Sequence, residues 1–381
     1  MGNKEEKLQP RMRFRGFTDA WEKRPIKKIA SVNGGKDYKH LNKGDIPVYG
    51  TGGYMLSVDQ ALSQEDGIGI GRKGTINSPY ILRAPYWTVD TLFYVIPKGT
   101  QDINFLYAIF QRVNWKKYDE STGVPSLSKQ TINAVEVTTP TQAEQELIGT
   151  MFKQLDNLIA VNQRRTDNLQ KLKKALLQRM FVSGDNGIPA VRFTGFTDVW
   201  EKRKLGTQYK KVIEKNDLSF STDKIISVAN MYFKADESKS DESYMKTYNV
   251  FRKGDIAFEG NKSKNFSYGR FVENDIGDGI ISHVFDVFRP TVEFDLNYWK
   301  YAIHYEPIMG RLLMRSTTKA TMMNSLVSKD FLKQELAIPN LEEQVKIGTF
   351  FAHFDNLIAV NQRKVELLKK LKQSYLQKMF V

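Results

Sequence analysis

The sequence predicts an α+β protein: two β-rich heads alternating with two long helices that pair as an antiparallel coiled coil, the whole a tandem repeat with pseudo-twofold symmetry. Three observations lead there. The stretch DNLIAVNQR, Asp156 to Arg164, returns unchanged from Asp355 to Arg363. The stretch RFRGFTDAWEKR, Arg13 to Arg24, returns from Arg192 to Arg203 with changes only at Arg15/Thr194 and Ala20/Val199. Each copy closes alike, in LLQRMFV and YLQKMFV. Two copies of one unit therefore follow each other along the chain.

Taken in order, each unit opens with the Arg-Phe-x-Gly-Phe-Thr-Asp-x-Trp tag. A divergent segment follows, rich in short aromatic and β-branched runs broken by Gly, Pro and Asn, the signature of a twisted β-rich domain with a few short helices. The two divergent segments share landmarks: KGDI at Lys43 and Lys253, then TLFYVIP and HVFDVFRP, then DINFLYAIF and DLNYWKYAI, then Ser-Thr at Ser121 and Ser316. Copy two carries a longer stretch before its KGDI.

Long helices come next. Pro140, Thr141 and Glu144 form a capping box, and Pro339, Asn340 and Glu343 repeat it. Beyond the cap neither segment contains proline, and Gly149 and Gly348 alone weaken propensity. From Gln142 to Val182 the helix would run roughly 60 Å at about 1.5 Å per residue. Apolar residues recur near a heptad, at Ile148, Met151, Leu155, Leu158, Leu169, Leu172 and Leu176, and at Ile347, Phe350, Phe354, Leu357, Leu368, Leu371 and Tyr375. The pattern is interrupted by Asn162 and Arg165, matched by Asn361 and Lys364, which reads as a coiled coil with a polar layer. The alternative is two helices each packing only on its own domain; the identity of the two faces favours pairing. The expected boundaries are a first head over 1–139, a helix over 140–182, a linker over 183–191, a second head over 192–338 and a helix over 339–381.

Composition narrows the function. The chain has 381 residues, 41% hydrophobic, enough for two cored domains. It has no cysteine, which excludes disulfides and thiolate chemistry and suits a reducing compartment. No apolar run reaches transmembrane length and the N-terminus lacks a signal-peptide core, so a cytoplasmic protein without membrane contact is expected. The formal net charge is +14, which points to a polyanionic partner.

Two variable domains alternating with two repeated long helices, each helix opening in Pro-x-x-x-Glu-Gln, resemble the specificity (S) subunit of type I restriction-modification systems, over almost the whole chain from the GFTDAWEKR tag onward. The resemblance implies a non-catalytic subunit whose two heads are target recognition domains. Each would read one half of a bipartite, asymmetric site on double-stranded DNA. The helices would space the heads and dock the methyltransferase subunits; the chain would join two of these and, for cleavage, ATP-dependent restriction subunits. S-adenosylmethionine, ATP and Mg2+ would belong to those partners, with no cofactor in this chain. Rod length would then set the gap between half-sites, as dimer geometry does in other DNA binders.

On that reading candidate DNA contacts can be named. In head one, VYGTGGYM offers a glycine loop flanked by Tyr49 and Tyr54. GIGIGRKGTINSPY offers glycines for close backbone approach, with Arg72 and Lys73 for phosphate or guanine and Asn77 beside them. In head two, EGNKSKNFSYGR supplies Lys262, Lys264, Asn265, Tyr268 and Arg270, and RSTTKATMMN adds Lys319. Each of these stretches also reads as a turn with solvated side chains. On the helices, Leu155, Asp156, Asn157, Leu158, Asn162 and Arg164, repeated as Phe354, Asp355, Asn356, Leu357, Asn361 and Arg363, are candidates for the coiled coil and for docking partners.

Catalysis fits poorly. GIGIG followed by NSPY resembles fragments of an adenine methyltransferase, but Ser78 stands where proline is required and the separation leaves no room for a strand-helix cofactor unit. No GxxxxGK[ST] loop exists. His40, His283, His304 and His353 are scattered without metal-ligand spacing. The competing reading is a coiled-coil adaptor whose basic heads bind RNA or acidic protein.

Overall fold

The computed structural model describes residues 8–182, 187–234, 241–318 and 323–381. The chain forms two compact units. One comprises the residues up to Arg164 together with Asn361–Val381; the other is Arg165–Val360. Each unit therefore contains one head, the start of one long helix and the end of the other.

The long helices run Gln142–Met180, 39 residues, and Leu341–Lys378, 38 residues. They are antiparallel, as contacts inside each unit show. In the first unit Asp156 pairs with Lys372, and Phe152 lies against Phe380 at 5.8 Å between ring centroids. In the second, Lys173 pairs with Asp355, and Phe181 lies 6.2 Å from Phe351.

The buried helical face differs by a rotation from the heptad reading. Ile148, Phe152, Leu155, Asn162 and Thr166 are buried, as are Ile347, Phe351, Phe354, Ile358, Asn361 and Val365. Leu158, Leu172 and Leu371, placed in the seam by spacing, are 48%, 50% and 40% exposed. Each helix has two surfaces to cover, its partner helix and its own head, and the rings of Phe152 and Phe351 turn toward the head cores. A single 3.5-residue period cannot encode both demands.

In head one, strands Ala30–Gly34, Leu92–Pro97, Gly67–Gly71 and Tyr80–Leu82 form an antiparallel sheet in that order. In head two, Tyr209–Val212, Val287–Pro290, Ile256–Glu259 and Arg270–Glu273 form the same sheet. This corrects the KGDI landmark. The head-two copy leads into a central strand, Ile256–Glu259, whose counterpart in head one is Gly67–Gly71. The head-one copy opens Lys43–Gly50, which lies in a separate three-stranded sheet with Gly53–Val58 and Trp87–Thr88.

GIGIG is also not a loop. It is a wholly buried strand, and a side chain at Gly69 would meet the Tyr80 ring at 3.2 Å. Its glycines admit neighbouring tyrosines, not a DNA backbone.

Candidate nucleic-acid interface and the junction that presents it

Each head is seated on its helix by the same set of groups. Arg13 of the tag donates two hydrogen bonds to Glu144, from Nε at 2.7 Å and Nη2 at 2.8 Å; Arg192 does the same to Glu343 at 2.7 and 2.8 Å. Both glutamates are completely buried. The paired carboxylates push both arginines above their ordinary pKa, so the guanidinium stays charged. Beside them Gln145 accepts from the Asp102 backbone N–H at 3.3 Å, and Gln344 from that of Asp295 at 3.2 Å. Asp102 and Asp295 cap the head helices Ile103–Arg112 and Leu296–His304, accepting from Phe105 and Tyr298 backbone N–H at 2.7 Å.

This explains Gly149 and Gly348. A Cβ there would collide with the Oδ1 of Asp102 or Asp295. It also qualifies the expected capping boxes. Asn340 Oδ1 does accept from the Glu343 backbone N–H at 2.9 Å, but the two glutamate carboxylates turn to the tag arginines.

A ring from the end of the other repeat completes each junction. Phe380 sits among Trp21, Phe105 and Phe152 at 5.8, 5.5 and 5.8 Å; Phe181 sits among Trp200, Tyr298 and Phe351 at 6.3, 5.5 and 6.2 Å. The LLQRMFV and YLQKMFV endings thus have a packing role. Lys372 lies 5.7 Å over the Tyr107 ring and Lys173 4.8 Å over Tyr301, each while paired to an aspartate of the nonapeptide. Burial, with Asp156 adding to it, pushes the Tyr107 hydroxyl up to about 12.

Of the candidate base and phosphate contacts in head one, Tyr54 is 63% exposed, with its ring 6.4 Å from Tyr49; Tyr49 lies 6.1 Å from Tyr80. Tyr80 donates to the Gly50 carbonyl at 2.6 Å and fixes that hairpin. Arg72 and Lys73 are exposed directly after the buried strand, on backbone tied to Thr91 and Leu127. The side-chain oxygen of Asn77 accepts from the Trp115 backbone N–H at 3.0 Å, which fixes the amide to that loop, so a bidentate adenine contact would have to share this oxygen.

In head two Lys264 and Asn265 are exposed at a turn, and Lys262 shares that exposed stretch. Tyr268 is half-buried against the head core. Arg270 is engaged internally, by Glu259 at 2.7 Å, the Ala229 carbonyl at 2.7 Å and the Phe266 ring at 5.5 Å. Lys319 lies outside the described residues.

On the helices, Leu155, Phe354, Asn162 and Asn361 are buried, and Asp156 and Asp355 pair with lysines. Asn157, Arg164, Asn356 and Arg363 are exposed, and Leu357 is half-buried. The spacing argument missed Arg13, Glu144, Gln145 and Asp102 with their counterparts. Their recurrence in both copies was the signal available.

Among the described residues no cluster of three or more His, Asp or Glu could hold a metal ion, and no helix is long and apolar enough to cross a membrane. A duplicated scaffold that holds two unlike heads by one junction is the architecture of a recognition subunit. The chain matches the family of the type I restriction modification DNA specificity domain over residues 18–171 and 197–370, and it belongs to that family. Its class is the non-catalytic specificity subunit.

Relatives include the type I restriction enzyme MjaVIII specificity subunit of Methanocaldococcus jannaschii, 22% identical over 72% of this chain and 68% of that protein. The MjaIX specificity subunit of the same organism is 27% identical over 42% of this chain and 44% of that protein. Among solved structures, the type I restriction-modification S subunit from M. genitalium shares the fold, with a TM-score of 0.68 at 13% identity over 98% of this chain and 99% of that one.

Proposed function

We propose that this chain recognises a bipartite, asymmetric sequence in double-stranded DNA, one half-site per head, and scaffolds two methyltransferase subunits and the restriction subunits of a type I complex in the cytoplasm. The heads are 1–139 and 192–338, joined through helices 140–182 and 339–381 and the linker 183–191. S-adenosylmethionine, ATP and Mg2+ act in the partner subunits.

The observation that carries this reading is the contrast inside each unit. The junction repeats its Arg–Glu pair, its Gln and Asp groups and its Phe plug, whereas the exposed head loops do not repeat: Tyr54, Arg72 and Lys73 in one, Lys264 and Asn265 in the other. Lysine and arginine suit phosphates, and tyrosine and asparagine suit base edges.

Docking is supported by the open faces of the helices. In the first unit Leu158, Val161, Leu367 and Leu371 are exposed; in the second, Leu172 and Val360 are exposed, with Leu357 half-buried. Val161 and Val360 are each 57% exposed within identical nonapeptides, as two copies of one partner would require. The adaptor alternative gains no observation of its own.

Methylome sequencing of cells expressing the chain with its methyltransferase partner tests the proposal. The expected result is methylation at a split motif, one half of which changes when residues 25–139 are replaced by another head. Methylation at one continuous tract, or both halves changing in the swap, would overturn it.

A further inference from the structure

The duplication provides an internal control for surface chemistry. In both units a groove opens beside the tag strand, where Glu22–Pro25 pairs with Glu136–Thr139 and Glu201–Lys204 pairs with Glu335–Ile338 in the same register. Four scaffold positions line both grooves: Lys23, Ala134, Val135 and Glu136 in the first, Lys202, Lys333, Gln334 and Glu335 in the second.

Their charges diverge. The first groove, about 750 Å³, sets one lysine against Glu120 and Glu136, and Lys23 is paired with Glu136. The second, about 420 Å³, gathers Lys202, Lys333, Arg311 and Arg315, with Glu335 the one acidic residue of its lining among the described residues. Lys333 contacts the adjacent Asp330 at 3.2 Å. Lys202, Arg315 and Glu335 take part in no ion pair among the described residues. All four cations are exposed. Packing of the shared scaffold explains Lys202 and Glu335, which have counterparts; it does not explain Arg311, Arg315 and Lys333, which replace uncharged or acidic lining.

We propose that this second-head groove binds phosphates of the target duplex backbone, independently of base sequence. The inference rests on the reading of the chain as a DNA-recognition subunit. Four cations lining one concave site, of which Lys202 and Arg315 are in no ion pair among the described residues, favour a polyanion, and arginine suits the forked geometry of phosphate oxygens. None of the four is itself among the candidate readers, although Arg315 opens the RSTTKATMMN stretch.

The test is a double variant, Lys202→Gln with Arg315→Gln, in the full chain assembled with its methyltransferase partner. Affinity is measured between about 50 and 200 mM salt, the range over which phosphate contacts dominate, on a duplex carrying the methylated motif, a random-sequence duplex and a single-stranded RNA. The expected result is a log–log salt slope shallower by about 1 to 2, at roughly 0.9 for each phosphate no longer neutralised. The change should be equal on both duplexes, with the methylated motif unaltered. A slope and affinity identical to the parent assembly on both duplexes overturn the inference, as does a loss confined to RNA. If the parent assembly itself shows no motif preference, the reading beneath the inference fails instead.

Discussion

The two units are nearly the same at the junction and unlike almost everywhere else in the heads. Arg13–Glu144 and Arg192–Glu343, Gln145 and Gln344, Asp102 and Asp295, Phe380 and Phe181 occupy matching places. The lesson concerns why repeats stay matched. Much of the identity lies inside each unit, where a buried charge pair and a helix cap tolerate no change on one side alone. One difference within the junction is informative. Trp200 donates its indole N–H to Glu343 at 3.0 Å, whereas the buried Trp21 indole N–H has no hydrogen-bond partner among the described residues.

That difference can be broken open by removing the arginines. Leaving a buried carboxylate unpaired costs about 3–5 kcal/mol. Arg13→Ala should reach that range, because Glu144 then keeps no side-chain donor. Arg192→Ala should cost about 1 kcal/mol less, because Trp200 still donates. Urea unfolding followed by hydrogen exchange in each unit distinguishes the two, and equal losses would show that the indole contributes nothing.

Truncating the plugs comes next. Phe380→Ala should cost about 3 kcal/mol from the cavity it leaves and should loosen exchange in the first unit only; Phe181→Ala should do so in the second only. Loss of protection in both units from either variant would contradict their separate cores.

A pH experiment sharpens the contrast from the side of head two. Glu273 is buried, neither of its oxygens has a hydrogen-bond partner among the described residues, and burial, reinforced by Asp275, raises its pKa to about 9. Its folded pKa exceeds the unfolded value, so its contribution is fully present below about pH 4.5 and is lost as pH rises toward about 9, by up to about 1.4 kcal/mol per pH unit. Glu273→Gln should flatten the pH dependence of second-unit stability across that window. An unchanged profile would mean the carboxylate is solvated.

The smallest effects belong to the helix pairs. Lys372→Ala and Lys173→Ala should each cost about 0.5–1 kcal/mol, since the lysines are mostly covered but their aspartates are partly open. The second should cost slightly less, because Asp355 keeps the Tyr301 hydroxyl as a donor at 2.6 Å. Thermal unfolding at low and high salt measures both.

The repeat, the long helices, their antiparallel pairing and the mixed heads were legible because each is written locally or as an exact recurrence. The phase of the helix seam was not. Leu158 and Leu172 satisfy a heptad as well as Phe152 does, and only the presence of a head explains which side is covered. KGDI misled because four residues can open either a central strand or a separate sheet. GIGIG misled because composition alone does not separate a glycine loop from a strand crowded by Tyr80 and Tyr86. Arg13 and Glu144 stand 131 positions apart, beyond any periodicity argument, although comparing the two copies pairs them with Arg192 and Glu343 at once.

Phe380 has a consequence for biosynthesis. It fills the core of the first head, yet it is translated only after every residue of the second head has left the ribosome. The head that is made first can close this core only after the one made later has been synthesised, so its last packing step follows the order of elongation.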